Sequence, residues 1–155
     1  MGKKPFYLES RIGNKVIGNY KKIKKMNLES PKVTVQKSAH YIFQKLSDLK
    51  NFEKLMPENI AKFEIVDENC FEFGLKGMPE IKLVKKEYIP NTKIVLGAAS
   101  SKLPFNLTGN LVALEDEKTE IQLEFEGEFN PMMSMMIKGP ISKFIETLAA
   151  NMHKL

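Results

Sequence analysis

From residue 31 to residue 129 the chain is a series of short runs that alternate apolar and polar residues, interrupted once by a stretch of helical period. Residues 31–37 put Val33 and Val35 on one side and Lys32, Thr34 and Gln36 on the other, the two-residue period of a half-buried strand. Ser38 is a good N-cap, and Tyr41, Ile42, Leu46 and Leu49 follow at helical spacing, with Phe43 and Phe52 adding to the buried side. This helix is predicted to stop near residues 48–51. Residues 55–57 break the pattern, and residues 58–62 suit one further short turn of helix.

A set of strands then follows without a convincing helix between them. Phe63 and Ile65 alternate with Glu64; Phe71, Phe73 and Leu75 alternate with Glu72, Gly74 and Lys76; Ile81 and Leu83 open a run toward Tyr88; Ile94, Leu96 and Ala98 mark another. Turn chemistry at residues 67–69, 77–79 and 90–92 separates them. The last two runs are the longest. Phe105, Leu107, Gly109, Leu111 and Ala113 share one face, and beyond a polar turn Ile121, Leu123, Phe125, Gly127 and Phe129 share one face, with Glu120, Gln122, Glu124, Glu126 and Glu128 opposite. A face this acidic needs water, so the sheet is predicted to be antiparallel with one side solvated. The inward glycines Gly109 and Gly127 remove side chains where a sheet bends or another element comes close.

Asn130 and Pro131 read as N-cap and first helical residue. Ile137, Ile141, Phe144, Ile145, Leu148 and Met152 form the apolar stripe of a long terminal helix, and Gly139-Pro140 inside it predicts a kink or a restart. One amphipathic helix cannot cover six or seven flat strands. The expected fold is therefore α+β: a curved antiparallel sheet wrapped around the C-terminal helix, with one or two short helices after the first strand.

That order of elements resembles the helix-grip, START-like superfamily, also called SRPBCC, which includes polyketide cyclases and lipid-transfer domains. The residues that carry the resemblance are Lys32-Val33-Thr34-Val35 with Ser38-Ala39, then Leu46-Ser47-Asp48 with Phe52, and at the far end residues 125–131 leading into Gly139-Pro140-Ile141. The likeness spans about residue 29 to 155. It implies a cavity between sheet and long helix that binds lipids, polyketides, hormones or quinones; some members are enzymes, some carry ligands and some assist other proteins. Fold alone does not choose among these.

Charge divides the chain unevenly. The net charge is +5, yet residues 1–25 hold eight cations against Glu9 alone, a net of +7, which leaves −2 for the other 130 residues. Two regions are therefore expected: a basic N-terminal extension over residues 1–25, with Met26 as an alternative initiator, and a helix-grip domain over residues 26–155. The extension is either a flexible leader, a basic tail that meets an anionic surface, or a segment docked through Phe6, Tyr7 and Ile12. The mildly acidic domain gives no reason to expect nucleic acid. Cys70 is the only cysteine, which excludes an intramolecular disulfide and fits a reducing compartment. No apolar run approaches the roughly 18 residues of a membrane span, so the cytoplasm is the expected location.

Candidate chemistry is sparse. The inward set is almost wholly apolar, and turning the last strand over would expose its hydrophobic residues and bury four carboxylates at about several kcal/mol each. His40, His153 and Cys70 are far apart and make no metal-ligand spacing. No catalytic residue, metal or cofactor is implied. Methionine is concentrated: Met132, Met133, Met135 and Met136 open the last helix, with Met56 and Met78 near loops. Unbranched thioethers suit core filling, a partner contact or an adaptable pocket wall. The candidate ligand-binding residues are Phe73, Leu83, Leu96, Phe105, Leu107, Phe125, Met132, Met136, Ile137 and Ile141. The expected function is binding or carriage of an apolar small molecule, lipid-, polyketide- or isoprenoid-like. The alternatives are a cyclase or dehydratase using Tyr41, Tyr88, Asn106 or Thr108, and an interaction module presenting Glu120, Glu124, Glu126 and Glu128 to a basic partner.

Overall fold

The computed structural model describes residues 11–12, 15–16, 24–99 and 104–155. A minimal hairpin, β1 (Arg11–Ile12) and β2 (Lys15–Val16), stands apart from the main sheet. The main sheet is formed by β3 (Lys24–Glu29), β4 (Val33–Val35), β5 (Ile60–Asp67), β6 (Cys70–Leu75), β7 (Ile81–Ile89), β8 (Lys93–Ala98), β9 (Phe105–Glu115) and β10 (Lys118–Phe129). Between β4 and β5 lie helix α1 (Ala39–Ser47) and a 3-10 helix (Leu49–Leu55); after β10 come the long helix α2 (Pro131–Ala150) and a short 3-10 turn (Met152–Lys154). The strand order β3-β10-β9-β8-β7-β6-β5 is antiparallel throughout, as hairpin-linked runs require. This is the expected α+β helix-grip architecture, with the sheet curved against the C-terminal helix.

β10 is long enough to pair with two successive strands on one edge. Thr119–Ile121 pairs with β4 and Glu124–Phe129 with β3. Ser30 makes the step between them: its N–H donates to Leu123 O at 2.9 Å, and its hydroxyl accepts from Leu123 N at 2.9 Å while donating to Pro31 O at 2.9 Å. Thr119, fully buried, spends its hydroxyl on Lys37 O at 2.7 Å. Both buried hydroxyls thus hold backbone and are satisfied.

The caps follow the sequence. Ser38 Oγ accepts from Tyr41 N at 3.0 Å and Asn130 Oδ1 from Met133 N at 2.8 Å. The parity of the last two strands holds except at the far end of β9: Leu107, Gly109 and Leu111, then Ile121, Leu123, Phe125, Gly127 and Phe129, are buried and Glu126 and Glu128 stand in water, but Ala113, expected inward, is exposed where β9 runs past the core into the turn to β10.

Four features differ from expectation. β3 was not expected, because the lysines around Met26 and Leu28 mask their alternation; Met26 is nonetheless buried. No turn of helix forms at residues 58–62. Strand β5 begins at Ile60, whose pairing with Leu75 draws this stretch into the sheet, and the extra helical turn lies earlier, where Leu49, Phe52 and Leu55 recur every third residue and are buried. Ile65 is not inward: it is 36% exposed, on an edge strand whose register shifts between Ile65 and Asp67. Finally, α2 runs unbroken through Gly139-Pro140. Proline removes one backbone donor and leaves the Met136 carbonyl without its i+4 partner, but both residues lie on the exposed side, where that carbonyl can reach water.

Candidate ligand-binding site

The space between sheet and α2 is packed differently at its two ends. Toward the start and middle of α2, aromatic rings fill it. Phe105 and Phe125 lie 4.8 Å apart between ring centroids and Phe125 and Phe129 6.1 Å apart, while Phe73 stacks on Phe144 at 4.9 Å with planes 8° from parallel. Ile137 and Ile141 are buried on this side of the helix. A second aromatic cluster, Phe52, Phe63, Phe71 and Phe73, continues it under the 3-10 helix.

Toward the end of α2 the packing leaves a gap. Leu46 of α1, Phe52, Ile94 and Leu96 of β8, Leu107 and Gly109 of β9, Leu123 of β10, Leu148 of α2 and Met152 enclose a cavity of about 20 Å³. Its lining presents no polar side chain. A space of this size holds about one water, and an apolar lining keeps such a space dry. Gly109 is the reason for the gap: a Cβ there would meet only Leu123 Cδ2, at 3.4 Å.

The wall is fixed from outside by polar contacts. Tyr88 Oη donates to Leu46 O at 3.3 Å, and Lys85 Nζ donates to Ser47 O at 2.7 Å with its ammonium 5.1 Å from the Tyr88 ring centroid. Burial pushes the Tyr88 phenol far above its ordinary pKa, so it stays a donor. Asn151 Nδ2 donates to Leu55 O at 3.0 Å and ties the end of α2 to the 3-10 helix. Lys37 Nζ and Tyr41 Oη both donate to Leu155 O, at 2.7 and 3.2 Å.

A wider groove of about 380 Å³ opens beside the middle of α2, between Pro57, Asn59, Leu75, Lys76 and Met78 on one side and Gly139, Pro140, Lys143, Phe144 and Thr147 on the other. Met78 stands at this mouth, whereas Met56 is buried in the core.

One family model matches residues 26–154. No curated protein matches. Solved structures do. Norcoclaurine synthase from Thalictrum flavum superposes with a TM-score of 0.68 at 14% identity, covering 85% of this chain and 86% of that one. A START superfamily protein from Mycobacterium smegmatis gives 0.64 at 16%, covering 84% and 94%. The Zhui aromatase/cyclase from Streptomyces sp. R1128 gives 0.58 at 12%, covering 83% and 94%.

The chain has the START-like, SRPBCC fold.

Within this START-like fold the ten sequence-predicted ligand residues separate into three groups. Leu96 and Leu107 line the cavity. Phe73, Leu83, Phe125, Ile137 and Ile141 are buried, and Phe105 half-buried, in the closed packing around it. Met132 and Met136 are 72% and 63% exposed and stand outside the sheet–helix interface. At the start of α2 they fall on the face opposite Ile137 and Ile141. Sequence reasoning missed Leu46, Phe52, Ile94, Leu123, Leu148 and Met152 as walls. The usable signal was Gly109 together with the residues that neighbouring strands place beside it, Leu123 and Ile94.

The four residues considered for catalysis do not converge. Tyr41 and Tyr88 spend their hydroxyls on backbone carbonyls, Asn106 is exposed, and Thr108 alternates away from the cavity. His40 and His153 are exposed, and Cys70 is buried at the start of β6, where burial pushes its thiol pKa up. Among the described residues no helix is long and apolar enough to cross a membrane.

Proposed function

We propose that this START-like protein binds an apolar small molecule between the sheet and the second half of α2. The observation that carries the reading is the Gly109 cavity, whose lining is entirely apolar and is drawn from both the sheet and the end of α2. At about 20 Å³ it is a seed for a site, since drug-sized ligands occupy roughly 300 Å³ or more. Binding therefore requires the walls to part. Met152 is suited to this because its thioether chain repacks at low cost. The ligand class supported is apolar and without charge: nothing in the lining would pair with an ion, and an unpaired charge there would carry a large desolvation penalty. That the START-like structures matched include a synthase and a cyclase is consistent with such a pocket.

The test is titration of the protein with an uncharged naphthylamine probe, followed by fluorescence. Saturable one-to-one binding is expected in the native protein, with loss of binding in Gly109→Leu, whose side chain occupies the cavity. Native mass spectrometry of protein purified from its own host should show an added apolar mass. A probe signal that never saturates, or one that Gly109→Leu leaves unchanged in a folded protein, overturns the reading.

A further inference from the structure

The outward face of the first half of α2 is apolar where it meets water. Met132, Met135 and Met136 are 72%, 82% and 63% exposed, and with Gly139 they form one stripe at spacings of three and four. The buried stripe of Ile137, Ile141 and Phe144 lies on the opposite side, so core packing does not account for them. Methionine side chains that fill nothing leave apolar area in water that another surface can cover.

The surroundings say which kind of surface. On one flank a groove of about 300 Å³ is lined by Lys25, Met26, Asn27, Leu28, Ser134, Met135 and Lys138. On the other is the 380 Å³ groove that contains Lys76, Met78 and Lys143. Neither groove has a carboxylate in its lining. Lys25 pairs with Glu126 at 3.3 Å, but Lys76, Lys138 and Lys143 make no ion pair among the described residues. Glu146, three residues past Lys143, marks where the stripe turns acidic. Lys24 pairs with Phe129, the residue before the N-cap of α2, so residues 1–23, with six cations and one carboxylate, are joined to the fold beside the methionine turn.

We propose that this face docks on an anionic lipid surface, with Met132, Met135 and Met136 entering the headgroup–acyl boundary and the flanking lysines meeting the headgroups. Exposed apolar side chains bordered by cations are the makings of an interfacial helix, and neighbouring basic segments strengthen attraction to anionic leaflets. A protein partner is the weaker fit. Binding hot spots favour aromatic or arginine anchors in pockets, and this stripe has neither. The proposal does not depend on the ligand reading above.

The experiment is sedimentation of the full chain with vesicles of phosphatidylcholine alone and of phosphatidylcholine with about one-third phosphatidylglycerol, at low and high salt. Binding is expected only to the anionic vesicles and is expected to fall with salt. The triple variant M132N/M135N/M136N and the double variant K138E/K143E should each bind about tenfold more weakly or worse. All five residues are exposed, so an unchanged thermal melt certifies the fold of each variant. Absence of binding to anionic vesicles at low salt overturns the proposal. So does binding that survives the methionine substitutions, which would assign it to the N-terminal cations alone. Concentration-dependent self-association that the triple variant abolishes, without lipid binding, would replace the membrane with a second copy of the chain.

Discussion

Gly127 and Gly109 are buried on adjacent strands, and they do opposite things. A Cβ on Gly127 would stand 2.7 Å from Pro104 O and 2.8 Å from the Phe129 ring, so the missing side chain is a close approach already filled. A Cβ on Gly109 would meet nothing nearer than 3.4 Å, so there the missing side chain is a vacancy. Around Gly127 the rings of Phe105, Phe125 and Phe129 close the interface; around Gly109 branched aliphatic residues from five elements fail to meet. An inward glycine in a curved sheet therefore marks either contact or emptiness, and its neighbours decide which.

The largest effect expected from this contrast is at the filled end. Gly127→Ala forces a methyl against a backbone carbonyl that cannot rotate away, and overpacking of this kind costs about 1–3 kcal/mol. Urea denaturation should show the midpoint falling with an unchanged slope. An unshifted midpoint would mean that residue 104 yields freely, and the two glycines would then be equivalent.

Both glycines were visible as inward from alternation alone, and so was nearly all of the sheet from Val33 onward. What alternation carries is parity, and parity fixes which side of a strand is buried. It carries nothing about depth. Methionine suits pockets, yet at the start of α2 Met132 and Met136 fall on the face opposite Ile137 and Ile141 and stand in water. The helical spacing of Ile137, Ile141 and Phe144 already assigned that face. The cavity walls were harder. Leu46, Leu148 and Met152 come from helices whose position over the sheet depends on crossing geometry, which no local pattern encodes. β3 was hidden for another reason: its alternation of Met26 and Leu28 is set among lysines, on an edge strand where one side faces solvent.

A second effect separates the two ends by pH. The Tyr88 hydroxyl holds the Leu46 carbonyl at 3.3 Å, and Leu46 is a cavity wall; among the described residues no tyrosine hydroxyl does the same at the aromatic end. Burial raises the Tyr88 phenol above its unfolded value of about 10, so its contribution is complete below that pH and is lost as pH rises further. Tyr88→Phe should cost about 0.5–1.5 kcal/mol at neutral pH and flatten the alkaline decline. The comparison belongs in a Cys70→Ala background, because burial raises that thiol as well and its loss begins lower, near its ordinary value of about 8.5. Lys62, raised by its hydrogen bonds to Glu72 and Glu80, is present in both proteins and cancels. Hydrogen exchange should show α1 opening more easily relative to β10 as pH rises in the parent, whereas in Tyr88→Phe α1 should already open that easily at neutral pH.

The smallest effect is the most informative, because its sign is opposite. Gly109→Ala places a methyl in space that is empty, removes backbone freedom from the unfolded chain and restores a side chain to a strand interior. The protein should therefore become more stable, by about 0.5–1 kcal/mol. The same methyl takes part of the volume from which a ligand site must grow, so affinity for an uncharged apolar probe should fall by about tenfold, the usual worth of one methylene in a tight pocket. Stability rising while affinity falls is what a cavity kept for binding predicts, since natural chains hold such unfavourable gaps where function uses them. Were Gly109→Ala to stabilise and leave probe binding untouched, the gap would be a packing defect and the probe would sit elsewhere, with the groove beside Gly139 the next place to look.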